Sequence, residues 1–136
     1  MPRRSLTLTA AQWSEIIAHV QAGLPNEACG LLGGVDGVVR RVYPAENIRR
    51  SPWEYQLDPQ QQVRAMLEME AQGWELVGIF HSHPGGPPLP SATDVARAYY
   101  PESIYLILAL DARGEWRGRG FRIEEGRVQE RLVRVE

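Results

Sequence analysis

Hydrophobic and polar positions along this chain follow two periods, and the switches between them mark out the elements. Residues 6–9, Leu-Thr-Leu-Thr, alternate at period two and predict a short strand. Thr9 then reads as an N-cap, with Gln12 closing a capping box, ahead of Trp13, Ile16, Ile17 and Val20 on one helical stripe that Gly23 and Pro25 end. His19 lies at the border of that stripe and reads as a partly exposed surface histidine. An apolar, Gly-rich segment at 29–35, the turn signal Asp36-Gly37 and a returning strand at 38–43 make a hairpin. Residues 44–52 read as loop and 54–57 as another short strand. Asp58-Pro59 opens a second helix, with Val63, Met66, Leu67 and Ala71 at helical spacing and Gly73 as its stop. Residues 75–82 are apolar enough for a central strand. A stiff Gly/Pro loop at 84–90, a short helix at 91–98 and a second central strand at 103–110 follow. A closing hairpin pairs 116–123 with 128–135. This order predicts an α/β fold, a mixed central sheet flanked by about three helices, in one domain spanning residues 1–136.

Composition removes whole classes of chemistry. All 15 cationic side chains are arginine, so there is no Schiff-base lysine and no phosphate-cradling P-loop lysine. The single cysteine, Cys29, excludes an intramolecular disulfide and a Cys-based zinc site. A net charge of −2 with scattered arginines argues against a nucleic-acid partner. The longest apolar run, 105–110, is far below the ~20 residues that span a bilayer, so no membrane partner is expected. Met1–Arg4 and the residues after it lack the apolar stretch of a leader, and the expectation is a cytoplasmic protein.

The remaining chemistry centres on two histidines. On a strand, positions i and i+2 share a face, so His81 and His83 present two imidazoles to one point while Ser82 turns away. Alone, such a pair is either two ordinary polar side chains at a strand end or half of a zinc site. Asp94, just after the rigid loop, is a third donor from another element. Ser91 and Asp94 also have the spacing of a capping box. Two imidazoles and a carboxylate leave one tetrahedral position for water, the mark of a catalytic zinc. Glu27 is either a solvated loop carboxylate or the base such a site requires. Cys29 reads as a small buried hydrophobe.

Together, His81-Ser82-His83-Pro84 and Ser91-Ala92-Thr93-Asp94 resemble the JAMM (MPN-plus) zinc metallopeptidase signature. The stretch from Pro25 through Glu27, Cys29 and Gly30 to Gly34 is similar to the segment carrying the glutamate in the small prokaryotic members. The resemblance implies a cytidine-deaminase-like fold and one Zn2+ per chain held by His81, His83 and Asp94. It also implies Glu27 as general base and acid, and Ser91 as an oxyanion donor. The substrate it implies is the amide bond after the C-terminal Gly-Gly of a ubiquitin-like sulfur-carrier protein. Residues 47–55 and 85–89 would wall the tail groove, with Trp53 and Tyr55 packing either on the tail or within the protein. Alternatives are a RadC-like DNA-repair-associated hydrolase, whose motif Gly86 and Pro90 echo, a peptidoglycan-peptide hydrolase, and a non-catalytic MPN scaffold.

Overall fold

The computed structural model describes residues 5–136, so the Met1–Arg4 part of the leader reading lies outside the described residues. The elements are β1 (Ser5–Leu8), α1 (Ala10–Gly23), β2 (Cys29–Val35), β3 (Val38–Ala45), α2 (Pro59–Gln72), β4 (Glu75–His83), α3 (Ala92–Ala96), β5 (Ile104–Leu110), β6 (Trp116–Glu124) and β7 (Arg127–Val135). The Thr9–Gln12 capping box forms, and Asp58 caps α2 by accepting from the backbone of Gln60 and Gln61 before Pro59-led turns. Gly73 ends α2 at φ +73°, in the left-handed region that costs glycine least.

The sheet runs β1-β3-β2-β4-β5-β6-β7, and β7 pairs back on β1, closing the strands into a ring. It is mixed: β4 runs parallel to β5, while β2 pairs antiparallel with both β3 and β4. The closure between β1 and β3 is thin, a single registered pair of Thr7 with Val38.

Alternation sorts the apolar side chains into two cores. Leu32, Val77, Phe80, Leu106 and Leu108 pack with Ile16 and Val20 of α1. Leu31, Ile79, Tyr105 and Ile107 pack with Ala65 and Met69 of α2. Each fully buried side chain of this size contributes about 1.5–3 kcal/mol. At Gly30 a Cβ would stand 2.3 Å from the Phe80 ring and 2.6 Å from the Tyr43 carbonyl, so only glycine lets β2 lie this close to its neighbours.

Two expectations need correction. Residues 54–57 form no strand; only an isolated bridge between Asn47 and Leu57 marks them. The Asn47 side chain explains why: its Oδ1 accepts from the backbone of Arg49 and Gln56, and its Nδ2 donates to the carbonyls of Glu27 and Glu54. One side chain thus serves the backbone groups a partner strand would serve. The short helix is also shorter than expected, ending at Ala96 with Arg97 as its C-cap.

Among the described residues no helix is long and apolar enough to cross a membrane.

Candidate metal centre and its surroundings

β4 ends beside the α2 core; beyond the register irregularity near Val77, Ile79 faces that side and Phe80 the other, so His81 and His83 follow Ile79 onto one face. Register places Cys29 of β2 opposite His81. Glu27 lies just before β2 rather than on it, fixed through its backbone: its N–H donates to the Ser51 carbonyl at 2.9 Å and its carbonyl accepts from Asn47 at 2.9 Å. The loop that failed to become a strand therefore frames this glutamate.

His81 Nε2 lies 3.1 Å from His83 Nε2, and Asp94 Oδ2 lies 3.1 and 3.0 Å from these two atoms. His83 Nδ1 donates to the Pro87 carbonyl at 2.8 Å, which leaves its Nε2 as a lone pair. With both imidazoles neutral and their Nε2 atoms unprotonated, these two lone pairs and the Asp94 carboxylate would point at one place, an arrangement that suits a cation. Three corners of a tetrahedron centred about 2.0–2.1 Å from each lie about 3.3 Å apart, close to the spacings seen. The donor set fits a metal.

Glu27, His81 and His83 offer ligand atoms that all lie within 4.8 Å of one another. Asp94 Oδ2 lies 3.1 and 3.0 Å from the two Nε2 atoms, so Glu27 and Asp94 are both carboxylates in reach of the histidine pair. Glu27 is only 4% exposed, and its Oε1 has no hydrogen-bond partner among the described residues. Burial pushes its carboxyl up to about 7, offset in part by the His83 imidazole and reinforced by Asp94. Burial works against ionisation of Asp94 too, but hydrogen bonds from His81, His83 and the Ser91 N–H outweigh it and hold the carboxyl far below the usual range. Burial holds His81 neutral, whereas for His83 the bonds to Asp94 and Pro87 overcome burial and raise its pKa.

Ser91 is the N-cap of α3: its Oγ accepts from the Asp94 N–H at 3.0 Å, and its own N–H donates to Asp94 Oδ2 at 2.9 Å. Capping uses a lone pair of the hydroxyl and leaves its proton free to donate. Cys29 is fully buried, and burial with the nearby Glu27 pushes its thiol up to about 12, so it is a neutral apolar group, not a nucleophile.

Three positioning residues have roles that residue pattern alone does not reveal. The Tyr55 ring stacks on His81, centroids 4.4 Å apart, and orients an imidazole whose Nδ1 has no hydrogen-bond partner among the described residues. Trp53, by contrast, is 81% exposed. His19 is no idle surface group: its Nε2 lies 3.0 Å from the carbonyls of both Cys29 and Ala45, pinning α1 to the ends of β2 and β3. The buried Ser82 hydroxyl accepts from the Ala28 N–H at 2.9 Å, and the Ser82 N–H donates back to the Ala28 carbonyl. Glu27's neighbour is thus bolted to the strand residue between the two histidines. Ser82→Ala leaves a buried N–H unpaired, with an expected loss of about 1–3 kcal/mol of stability. Activity is expected to fall while bound metal stays stoichiometric; thermal unfolding and elemental analysis check the two parts.

Beside Asp94 opens a cavity of about 380 Å³, lined by Arg49, Tyr55, Gln62, Arg97 and Tyr105 among others.

A family model describing prokaryotic homologs of the JAB domain matches residues 9–123. A desampylase from Haloferax volcanii is 38% identical over 133 aligned residues, covering 90% of this chain and 95% of that protein. A CysO-cysteine peptidase from Mycobacterium tuberculosis is 35% identical over 132, covering 96% and 90%. A solution structure of a Desulfitobacterium hafniense protein superposes with a TM-score of 0.86 at 41% identity, covering 96% of this chain and 92% of that one. With a match reaching from the cap of α1 to the end of β6, and relatives alike over nearly their full length, the chain belongs to the prokaryotic JAB-domain family.

Proposed function

We propose that this protein is a zinc-dependent peptidase that hydrolyses the amide bond after the C-terminal Gly-Gly of a ubiquitin-like sulfur-carrier protein or its conjugates. The observation that carries the reading is the triangle of His81 Nε2, His83 Nε2 and Asp94 Oδ2 with the buried carboxyl of Glu27, its Oε1 without a partner among the described residues, beside it. Relatives named as a desampylase and a CysO-cysteine peptidase support the reaction class.

His81, His83 and Asp94 would hold the ion. Bound there, zinc supplies a Lewis acid for the scissile carbonyl and brings the pKa of water down to about 7. Glu27, matched in proton affinity to that water, takes one of its protons and passes it to the departing amine, which otherwise leaves as a strongly basic anion. A Glu27 carboxyl near 7 suits both halves of this shuttle. The Ser91 hydroxyl donates its free proton toward the oxygen of the tetrahedral transition state, a contact typically worth about 3 kcal/mol. The Ser82 and Asn47 bonds hold the backbone at Ala28 and Glu27, from which the carboxyl projects.

The test is incubation of the zinc-loaded protein with a sulfur-carrier protein conjugated through its Gly-Gly terminus. Mass spectrometry is expected to show the intact carrier ending in Gly-Gly and a released amine. A chelator is expected to stop the reaction and added zinc to restore it. Conjugates left intact beside cleavage of an unrelated peptide class overturn the substrate assignment.

A further inference from the structure

A proton shuttle works only if its carboxyl is aimed, yet Glu27 stands outside the sheet. β2 begins at Cys29, and the pairing of Cys29 with Ala45 is the last rung of the β2–β3 ladder. Beyond that rung the two segments part, one toward Glu27 and the other toward Asn47. α1 sits at the fork. His19 Nε2 lies 3.0 Å from the Cys29 carbonyl and 3.0 Å from the Ala45 carbonyl, so one N–H is shared between the two sides of the last rung. Both partners are acceptors, and Nε2 therefore carries the proton. The imidazole meets the fully buried Phe80 ring edge to face, centroids 6.1 Å apart. Gly23, four positions on and so on the same face of the helix, lies against Ala28, the residue after Glu27. A Cβ at Gly23 would stand 3.1 Å from the Ala28 Cβ, and the Asn26 N–H donates to the Gly23 carbonyl at 2.9 Å. One face of α1 is thus the floor on which the segment carrying the base rests.

We propose that His19 is a positioning residue for the hydrolysis and that, with Gly23, it makes α1 the seat of the base: these two positions set where the Glu27 carboxyl stands relative to the metal donors. The inference rests on the peptidase reading above and deepens it. His19 acts through the backbone of Cys29, two residues from Glu27. Ser82 ties Ala28 to β4 and Asn47 ties Glu27 to the following loop, whereas His19 closes the fork from which both arms leave. Without that N–H the fork is free to open, and Glu27 moves with one arm. His81, His83 and Asp94 belong to β4 and α3, which neither arm carries, so ion binding is retained. A displacement of about 1 Å near the chemistry costs on the order of 100-fold in rate. A shift of a few tenths of an ångström at Ala28 therefore shows in kcat before it shows in folding.

The experiment measures kcat and KM for a sulfur-carrier protein joined through its Gly-Gly terminus to an amine, using zinc-loaded parent, His19→Leu, His19→Gln and Gly23→Ala proteins. Unfolding curves and elemental analysis establish that each is folded and metallated. His19→Leu is expected to lower kcat about tenfold or more, with KM within about twofold and metal stoichiometric. Glutamine carries an N–H donor the same number of bonds from the backbone as Nε2, so His19→Gln is expected to restore most of the rate. Alanine is the better helix former, yet its methyl forces Ala28 to give way, so Gly23→Ala is expected to lower kcat severalfold with metal retained. In the Glu27→Gln background there is no base left to aim, and His19→Leu is expected to change the residual rate by less than about twofold. Folded, metallated His19→Leu as fast as the parent overturns the inference, and so does a loss of the same factor with and without Glu27. His19→Gln no faster than His19→Leu, or an unchanged kcat in Gly23→Ala, overturns it as well, the second also where His19→Leu does not fold. In all these cases the peptidase reading stands. A parent protein that leaves the conjugate intact removes that reading and the inference with it.

Discussion

Replacing Glu27 by glutamine is expected to lower the rate of amide hydrolysis by about 10²–10⁴-fold, the usual contribution of a positioned acid–base group, with bound metal unchanged. The same substitution is expected to stabilise the metal-free protein. Burial raises the Glu27 carboxyl from 4.5 to about 7, so the folded protein binds this proton more tightly than the unfolded chain does. Below about pH 4.5 both states hold the proton and the group costs nothing. Between about pH 4.5 and 7 the unfolded chain releases the proton while the folded protein still holds it, so stability falls across this window and levels off above it, where the folded state carries a buried charge. Glutamine has no such transition. The chelated Glu27→Gln protein is therefore expected to gain on the parent between pH 4.5 and 7 and to stay ahead by about 1–3 kcal/mol above it. Denaturant unfolding at pH 4.5 and pH 8 reads the difference directly. Equal stability at both values refutes the buried-charge account, and undiminished hydrolysis removes Glu27 from the chemistry.

Removing a donor has the other large effect. His81→Ala or Asp94→Ala opens the triangle at one corner, and metal affinity is expected to fall by more than about 100-fold, beyond the loss that follows from altering a residue that only supports a ligand. Activity follows metal. Elemental analysis after dialysis checks the occupancy, and a stoichiometric ion retained in either variant refutes the donor assignment. Asp94→Ala also strips α3 of the capping bond to the Ser91 N–H. Asp94→Asn retains an acceptor for that bond and separates loss of the cap from loss of the negatively charged donor.

Much of this was legible in the residues because local chemistry and global fold agree. Thr9 with Gln12, Asp36-Gly37, Asp58-Pro59 and Gly73 each set a boundary through bonds made within a few positions, and the boundaries stand where those bonds are made. The alternation of Phe80 with Ile79 assigned faces to β4 before any partner was known, and it placed Ser82 opposite the histidines. What was not legible depends on partners distant in sequence. Residues 54–57 have strand-like residues but lose their ladder to the Asn47 side chain. His19 looks ordinary on its helix, and its role arises only where the carbonyls of Cys29 and Ala45 converge. The stacking of Tyr55 on His81 likewise needs the loop to be folded over the end of β4.

The three donors and the base enter the site by routes of different length. Only 13 positions separate His81 from Asp94, whereas the bond that holds the base segment, Ala28 to Ser82, spans 54. Short loops close at less entropic cost than long ones, and contacts distant in sequence form late. A chain in which β4 and the following loop have formed already carries a complete set of donors, before β2 has found its register. On the proposed donor assignment, the three donors are joined by one short stretch of chain, whereas the segment carrying the base depends on the long-range pairing of β2 with β4.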